Sequence, residues 1–561
     1  MRKVLKLQSI KTVVTSYILA VAILLAIHII AASPIDYKPS PYSGEIKFNA
    51  SSAYWYAYKL AKDFPYRPTG GDDTYRAFRW IEDEMHRLGL DVYTQEFTVN
   101  LEGPKIGRNI YAIQYGELNE AIAVLVNYDM APTSYEAASD TASHVGVVME
   151  LANSLKGYRN RRSIVYVFVD SEEWGMQGAR YFVKNYKGPP LKVVIVPEDL
   201  TAGNLTKIYL ESMGQFKGYS PLWLRILSRE VGDRLGVQVI DPVGFEEYLL
   251  RAVDISFTDQ GPVIAEGIPS IEVSTRGDDP ELARRIYHTP EDRMEYMDVG
   301  SFETYGRYLY VLLLSLDMME EIPGYEPDYL MVDDGKYITG GITYLTSLIL
   351  LTPLLVHLLY LLRMGDNPLR SLLEISMYFL GFIAGFILVM YSPLLGLVPA
   401  YDTYPPPPRH PYLYSPNPVV FLLFLAPPAV TIAAMRKIRG AEPPSPSAIP
   451  ITLLVTAIFS ILYNRYGTIA LLSQALTLWP WIPHVRPRIA KVILLVGGFT
   501  VFIILLVQFG HILYLGPLIL WYLLLGVAYG QFKLIGNLIF SIAAAVMSYL
   551  LLRYISTTWR K

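Results

Sequence analysis

Acidic side chains and a histidine recur in this sequence shortly after apolar, strand-like runs. Glu172 and Glu173 follow the run SIVYVFV, and Asp199 follows KVVIV. His288 stands in a Tyr-His-Thr stretch beyond a later apolar run. Carboxylates together with imidazole are ligands suited to zinc. Because adjacent residues at a strand end point in different directions, one glutamate can bind a cation while the other transfers a proton. The pattern indicates metal-assisted hydrolysis of an amide.

The elements that bring these side chains together are predicted from the hydrophobic pattern of residues 34–335. The runs AIAVLVN and SIVYVFV are nearly continuous in apolar residues, as expected of central strands covered on both faces. Strands alternate with helical patterns, which predicts an α/β three-layer sandwich. The predicted strands are 91–99, 109–115, 121–127, 163–169, 192–196, 206–211 and 269–274. Acidic pairs in loops are usually solvated, but an ordered set at the carboxyl ends of buried strands is typical of a site.

A membrane anchor is predicted at the start of the chain, in residues 1–33. Residues 13–32 carry no formal charge, and a helix needs about 20 apolar residues to cross a bilayer. The basic residues before them predict a cytoplasmic N-terminus. A cleaved signal peptide is the alternative, although this run is longer than the ~7–15 residues of a signal core. Both interpretations place the domain of residues 34–335 outside the cytoplasm, either extracellular or lumenal.

Residues 336–561 are predicted to form an all-α transmembrane domain with seven or eight helices. The candidate spans are 340–362, 372–392, 417–434, 449–463, 467–482, 490–508, 514–530 and 533–552. In this count the basic connecting segments lie on the cytoplasmic side, as expected, but Arg553 lies outside. The 449–482 pair, or a short segment near the end, is therefore predicted to be re-entrant or merged.

The loop at 393–416 contains four consecutive prolines, which favour a stiff, extended segment. It faces the same side as the soluble domain. We interpret it as a rigid connector in preference to a segment docked on that domain.

Composition excludes several classes of function. Of 561 residues, 52% are hydrophobic and 18% charged, and the net charge of −3 argues against electrostatic capture of nucleic acid. The absence of cysteine excludes disulfides, thiolate nucleophiles and cysteine-ligated metal sites. The expected partners are the lipid bilayer and a peptide or protein substrate.

The local sequences around these residues resemble the M28 family of metallopeptidases, which are aminopeptidases with co-catalytic zinc. The most specific matches are VDSEEWGMQGARYFV at 169–183 and YHTPEDRMEYMD at 287–298. The stretch AASDTASHVGVVMELA at 137–152 is similar to another family motif, and the resemblance covers most of 50–320. It implies a zinc-aminopeptidase-like fold. The implied roles are Glu172 as general base, Glu173 and His288 as zinc ligands, Asp199 as a ligand of the second metal, and Asp129 and Asp292 as partners that orient ligands.

The sequence departs from the family pattern where the second zinc would bind. Asn127 replaces a family histidine, and Ser139 stands where an ungapped match expects the bridging carboxylate. Asp140 can substitute only if the loop shifts by one residue. His144 replaces a family glycine, and we expect it to pack or to face solvent in preference to recruiting a metal. One zinc ion is therefore expected in preference to two, and a site without metal stays open.

Two functions remain open at this stage. The first is a membrane-anchored zinc metallopeptidase, an aminopeptidase acting on peptides outside the cytoplasm, whose architecture resembles the membrane metallopeptidases of the endoplasmic reticulum. The alternative is a catalytically inactive protein resembling the Gaa-type subunit of the glycosylphosphatidylinositol transamidase. Such a protein would bind or present lipid or protein substrates with partners in a membrane complex.

Overall fold

The computed structural model describes residues 2–556, except 201, 202, 204, 276, 402, 403 and 439–442. Its strands are β1 (Ser33–Pro34), β2 (Asp91–Asn100), β3 (Pro104–Gln114), β4 (Leu118–Asn127), β5 (Arg162–Val169), β6 (Leu191–Pro197), β7 (Lys207–Glu211), β8 (Gln238–Ile240), β9 (Ser270–Ser274), β10 (Tyr329–Asp333) and β11 (Lys336–Thr339).

Eight strands form one mixed sheet in the order β2-β3-β5-β4-β6-β9-β7-β8. The central strands β5, β4, β6 and β9 are parallel, so their carboxyl ends share one edge of the sheet. The seven strands predicted from the sequence correspond to β2–β7 and β9. The short strands β1, β8, β10 and β11 were not predicted, because so few residues carry no readable alternation. The strands β1, β11 and β10 form a separate small sheet.

Helices cover both faces of the large sheet. Alternate residues of β4 show this: Ile122, Val124 and Val126 pack in the larger apolar core, and Ala123 and Leu125 pack in the core on the other face. The helices of this domain are α2 (Ala50–Asp63), α3 (Asp72–Arg87), α4 (Ser143–Ser154), α5 (Gln177–Asn185), α6 (Leu222–Leu235), α7 (Phe245–Val253), α8 (Gln260–Ala265), α9 (Pro280–Ile286) and α10 (Val299–Met318). The predicted three-layer α/β fold is confirmed.

The remaining helices are apolar and lie at the two ends of the chain. They are α1 (Arg2–Ile30), α11 (Gly340–Arg363), α12 (Leu369–Met390), α13 (Pro418–Ile438), α14 (Ala448–Gly467), α15 (Ser473–Leu478), α16 (Arg488–Gly497), α17 (Thr500–Ile512), α18 (Ile519–Ala528) and α19 (Lys533–Leu550).

Six helical runs in the described part of the chain are long and apolar enough to cross a membrane, and five of these follow residue 336. A sixth follows residue 336 if α16 and α17, which meet at 55°, are one span. The sequence predicts seven or eight. Two predicted spans join in the run Ala448–His484. Another coincides with the run Gly516–Ala528, and its 13 residues, at 1.5 Å each, reach only about 20 Å.

Candidate metal centre

Asp140, Glu173 and His288 meet at the carboxyl edge of the parallel strands. One potential ligand atom from each lies within 4.8 Å of the others. His288 Nε2 is 3.1 Å from Asp140 Oδ2 and 3.3 Å from Glu173 Oε2. All three residues are buried, each less than 9% exposed. Of the residues that the sequence singles out, these three form the compact cluster.

An irregular turn before α4 places Asp140 in the cluster. Glu136 and Ala137 both have left-handed backbone angles, with φ of 66° and 49°, and Asp140 itself is extended within the following turn (φ −124°, ψ 84°). Asp292 holds this turn, because its carboxylate accepts the backbone N–H groups of Ser139 at 2.8 Å and Asp140 at 3.1 Å. Asp140 thus supplies one of the two carboxylates of the cluster.

The sharp turn after β5 separates the two adjacent glutamates. Ser171 has a left-handed φ of 64°. The backbone N–H of Glu172 donates to Asp129 Oδ1 at 3.1 Å, and Thr69 donates to Oδ2 of the same carboxylate at 3.3 Å. The side chain of Glu173 is buried in the cluster, whereas Glu172 is only half-buried. Asp129 thus fixes the backbone of the residue expected to act as base.

His288 is held from a different part of the chain. Its φ of 53° is left-handed, and its Nδ1–H donates to the carbonyl oxygen of Pro408 at 3.0 Å. Pro408 lies in the loop between α12 and α13. Because one ring nitrogen is tied to a carbonyl, Nε2 points at Asp140 and Glu173. Histidine ligands of metals are oriented in this way by a partner of the second nitrogen.

Burial and mutual charge determine the protonation of the metal-free cluster. Burial alone would lower the pKa of His288, but the charges of Glu173 and Asp140 outweigh it and raise that pKa to about 9. Burial raises the pKa of Glu173 to about 7. Burial would also raise the pKa of Asp140, but its hydrogen bond to His288 and the charge of that ring lower it. The ring of His288 is therefore protonated at neutral pH and supplies the positive charge among these groups.

The donor set fits a divalent ion such as zinc. Carboxylate oxygen and imidazole nitrogen both bind zinc, and a catalytic zinc keeps three protein ligands with a further position left for water or substrate. Glu173 Oε1 is buried and lacks a hydrogen-bond partner among the described residues, which is costly unless a ligand satisfies it. The cluster could hold a metal ion.

Asn127, which stands in place of a family histidine, belongs to a hydrogen-bonded group of side chains. His144 Nε2 donates to Asn127 Oδ1 at 3.0 Å, and the Thr141 hydroxyl donates to the Asn127 carbonyl at 2.7 Å. His144 is fully buried, and burial lowers its pKa to about 4, so it is neutral. His144 packs against Asn127 and is not part of the cluster.

Asp199, predicted as a ligand of the second metal, lies beside the cluster but does not join it. Its backbone carbonyl accepts the N–H of Thr275 at 3.0 Å. Its pKa is raised well above the usual range, first by burial and then by the charge of Asp140, so the two carboxylates are neighbours.

Two further carboxylates near Glu172 are buried without partners. Both oxygens of Asp259 and Oε1 of Glu198 accept no hydrogen bond from the part of the chain that the structure describes. The pKa of Glu172 is raised well above its usual range by burial, then by the charges of Glu198 and Glu173, with Asp259 also contributing. Glu198, Glu173 and Asp259 therefore lie around the carboxylate of Glu172. Neither Glu198 nor Asp259 is among the site residues predicted from the sequence.

Other parts of the site were also missed by sequence reasoning. Arg67 is fully buried and donates to the carbonyls of Phe64 at 2.7 Å, Tyr128 at 3.1 Å and Glu136 at 3.1 Å, so it fastens the loops beneath the cluster. The proline-rich loop supplies the carbonyl of Pro408, although it was interpreted as a simple connector. The run of prolines was its only sequence signal, and that run does not reveal a contact.

Comparison with known proteins identifies the family of this domain. The model of peptidase family M28 matches residues 109–313, which include all three residues of the cluster. Aminopeptidase YwaD of Bacillus subtilis is 25% identical over 224 residues, which cover 39% of this chain and 45% of that protein. The vacuolar membrane protease of Candida glabrata is 28% identical over 163 residues, covering 27% of this chain and 17% of that protein. The chain thus spans less than half the length of these curated relatives.

Solved structures that align with about half of this chain include a zinc aminopeptidase and a glutaminyl cyclase. A zinc aminopeptidase from Bacillus subtilis aligns with a TM-score of 0.41 at 16% identity, covering 50% of this chain and 100% of that chain. A glutaminyl cyclase of Porphyromonas gingivalis aligns with a TM-score of 0.41 at 22% identity, covering 48% of this chain and 100% of that chain.

Proposed function

Residues 109–313 form a peptidase family M28 domain, and from that premise we propose that the protein is a membrane-anchored metallopeptidase. One zinc ion would be held by Asp140, Glu173 and His288, and the enzyme would remove N-terminal residues from peptides outside the cytoplasm. The observation that carries the proposal is the buried cluster of these three side chains beside a half-buried Glu172.

The chain's own groups account for the proton transfers of amide hydrolysis. When bound, zinc would polarise the substrate carbonyl and lower the pKa of an attacking water. Glu172 would accept the proton of that water and deliver it to the nitrogen of the leaving amine, so the same carboxylate acts first as base and then as acid. Burial and the charges of Glu198 and Glu173 raise the pKa of Glu172, which makes its ionised carboxylate a stronger base for the first step. Asp129 keeps Glu172 in place through the backbone.

An aminopeptidase also needs an acidic group that binds the free amino terminus. Glu198 and Asp259 provide this chemistry, because both are buried and carry carboxylate oxygens without partners in the described part of the chain. An ammonium group placed between them and Glu172 would satisfy these oxygens. Peptides with a blocked N-terminus would lack that charge and bind less well.

The contacts of the membrane half support seven crossings after residue 336. The run Ala448–His484 bends at Asn464, whose amide donates to the carbonyl of Arg251 in the soluble domain at 2.6 Å. Because the bend lies against the soluble domain, each of the two limbs crosses the membrane separately. Both flanks of α18 touch the loop between α12 and α13: Tyr529 donates to the carbonyl of Pro399 at 2.9 Å, and Tyr514 lies beneath the Arg409 guanidinium at 4.1 Å. On this arrangement α18 does not cross.

This count puts the C-terminus on the cytoplasmic side together with the N-terminus. The conflict over Arg553 disappears, because that residue then lies inside, as the positive-inside rule expects. The soluble domain would face the extracellular or lumenal side.

The decisive experiment measures zinc content and peptide cleavage on the same purified full-length preparations. We expect about one zinc per chain, with loss of the ion in Glu173→Ala and His288→Ala. Glu172→Gln should keep zinc and lose cleavage by about 10²–10⁴-fold, the usual contribution of a general base. Glu150→Gln is a matched control, because Glu150 is a buried glutamate that accepts hydrogen bonds from Ser154 and Asn153 in α4, away from the cluster.

Two outcomes would contradict the proposal. Wild-type protein without zinc after loading at neutral pH would remove the hydrolase and leave the assembly role resembling a transamidase subunit. Unaltered cleavage by Glu172→Gln would refute the assignment of the base while leaving the metal site intact.

A further inference from the structure

The loop between α12 and α13 is docked on the soluble domain beside the cluster of candidate metal ligands. We call residues 404–410 the site loop. Tyr404 is its anchor: the side chain is 6% exposed, and its hydroxyl accepts a hydrogen bond from Arg180 Nη2 at 3.2 Å and another from Gln215. Gly175, three residues after Glu172, faces the Tyr404 ring so closely that a Cβ there would clash with it. The anchor pocket is thus formed by the turn that carries the glutamates.

Trp174 links the same turn to the membrane half from the other side. It directly follows Glu173 and is 7% exposed. Its ring centroid lies 4.9 Å from that of Tyr401 and 5.8 Å from that of His410, and it belongs to an apolar cluster shared with α12 and α18. The backbone next to a metal-ligating carboxylate is therefore packed against residues from the membrane half.

The third contact is made directly to a predicted ligand. The carbonyl oxygen of Pro408 accepts the Nδ1–H of His288 at 3.0 Å, while Nε2 of the same ring faces Asp140 and Glu173. Residues 404–407 are all buried, and three of them are prolines with fixed φ. The position of the Pro408 carbonyl is consequently set by a stiff segment clamped at Tyr404.

We propose that the site loop completes the metal centre, with Tyr404 as the positioning residue that places the Pro408 carbonyl against His288. The membrane-embedded half then serves as more than an anchor, since part of it orients a ligand of the catalytic ion. The inference rests on the proposed function only in requiring that the cluster binds a metal.

The test compares metal binding by loop variants of the full-length protein in detergent. Zinc affinity is measured by competition with a chromogenic chelator, and ligand geometry by the visible absorption of the cobalt-substituted protein. Tyr404→Ala should weaken zinc binding by about 10–100-fold, the usual effect of removing a group that orients a ligand, and should change the cobalt spectrum. Tyr404→Phe keeps the ring against Gly175 and should recover most of the affinity.

Tyr414→Ala is the matched control. It removes a tyrosine from the same connection between α12 and α13, but Tyr414 is 44% exposed and contacts Tyr514 instead of the cluster. Wild-type affinity and an unchanged cobalt spectrum in folded Tyr404→Ala would overturn the inference. If wild-type protein itself binds neither zinc nor cobalt, the proposed function fails as well, so the two failures are distinguishable.

A second measurement does not depend on the folding of any variant. Coupling is reciprocal, so a loop that strengthens metal binding must itself be stabilised by the metal. Hydrogen exchange of the wild-type protein should show slower exchange at the amides of Tyr404, Arg409 and His410 after zinc loading, with α16 unchanged as an internal reference. Equal exchange of these loop amides with and without zinc, in protein shown to bind the ion, would also overturn the inference.

Discussion

Replacement of Asp292 by asparagine tests how the cluster is assembled. The carboxylate of Asp292 accepts the N–H groups of Ser139 and Asp140 through its two oxygens. Asparagine keeps one oxygen and puts an NH₂ group in place of the other, so one N–H loses its acceptor and faces a donor. We expect the turn that carries Asp140 to relax and zinc binding to weaken.

The magnitude follows from the lost hydrogen bond. A hydrogen bond to a charged group contributes about 1.5–3 kcal/mol, and a buried donor left without a partner costs about 1–3 kcal/mol. Asp292→Asn should therefore lower the free energy of unfolding by about 2 kcal/mol. Because the relaxed turn holds a ligand, zinc affinity should fall by about 10–100-fold. The assay should be run at pH 8, since burial raises the pKa of Asp292 to about 7 and the wild-type carboxylate must be ionised.

Asp317→Asn separates the effect on metal binding from the effect on stability. Asp317 is as buried as Asp292, each 1% exposed. It also accepts two backbone N–H groups, those of Arg161 at 3.1 Å and Arg162 at 2.7 Å. Arg161 immediately precedes β5 and Arg162 begins it, at the opposite end of the strand from the cluster. The two variants should unfold at similar denaturant concentrations, but only Asp292→Asn should bind zinc weakly. Equal zinc affinity in both variants would refute the role of Asp292 in placing Asp140.

Three further predictions concern protons, substrate and topology. Zinc loading at pH 7 should release more than one proton, because the pKa of His288 is raised to about 9 and that of Glu173 to about 7. The affinity for zinc should then rise with pH up to about 9. Calorimetry in buffers of different ionisation enthalpy measures the number of protons released, and a result of no release would contradict the prediction. Asp259→Asn should raise KM about 10-fold or more for peptides with a free N-terminus and leave the KM of acetylated peptides unchanged. Steady-state kinetics in which the KM values of both kinds of peptide rise equally would exclude the amine-binding role. In the natural cysteine-free background, Ser556→Cys should react with an impermeant thiol reagent only from the cytoplasmic side and Leu395→Cys only from the other side; labelling of both from one side would refute the seven-crossing arrangement.

The hydrophobic pattern determined the fold of the soluble domain to a large extent. Runs such as AIAVLVN and SIVYVFV are typical of strands buried on both faces, and their alternation with helices predicts a sheet with a site at its carboxyl edge. Glu172, Glu173 and His288 could be named from the sequence because they stand in local motifs beside those strand ends. Such motifs depend on neighbours in the chain, and the sequence contains these directly.

The identity of the third member of the cluster depended on backbone geometry. An ungapped match puts Ser139 at that position, whereas the structure puts Asp140 there, after the left-handed turn at Glu136 and Ala137. The same applies to His144, whose partner Asn127 lies 17 residues earlier in the chain. Backbone angles and contacts of this kind follow from packing, which residue types do not specify.

The sequence by itself indicated motifs typical of a hydrolytic metal site in one half of the chain and an apolar helical region in the other. It did not show that the two halves share a site. Pro408 and His288 are 120 residues apart, and Gln215 and Tyr404 are 189 apart. No local pattern reports such a pairing, because it arises only when the membrane helices bring their connecting loop over the edge of the sheet. Only the tertiary structure shows that a loop from the membrane half lies against the candidate metal ligands.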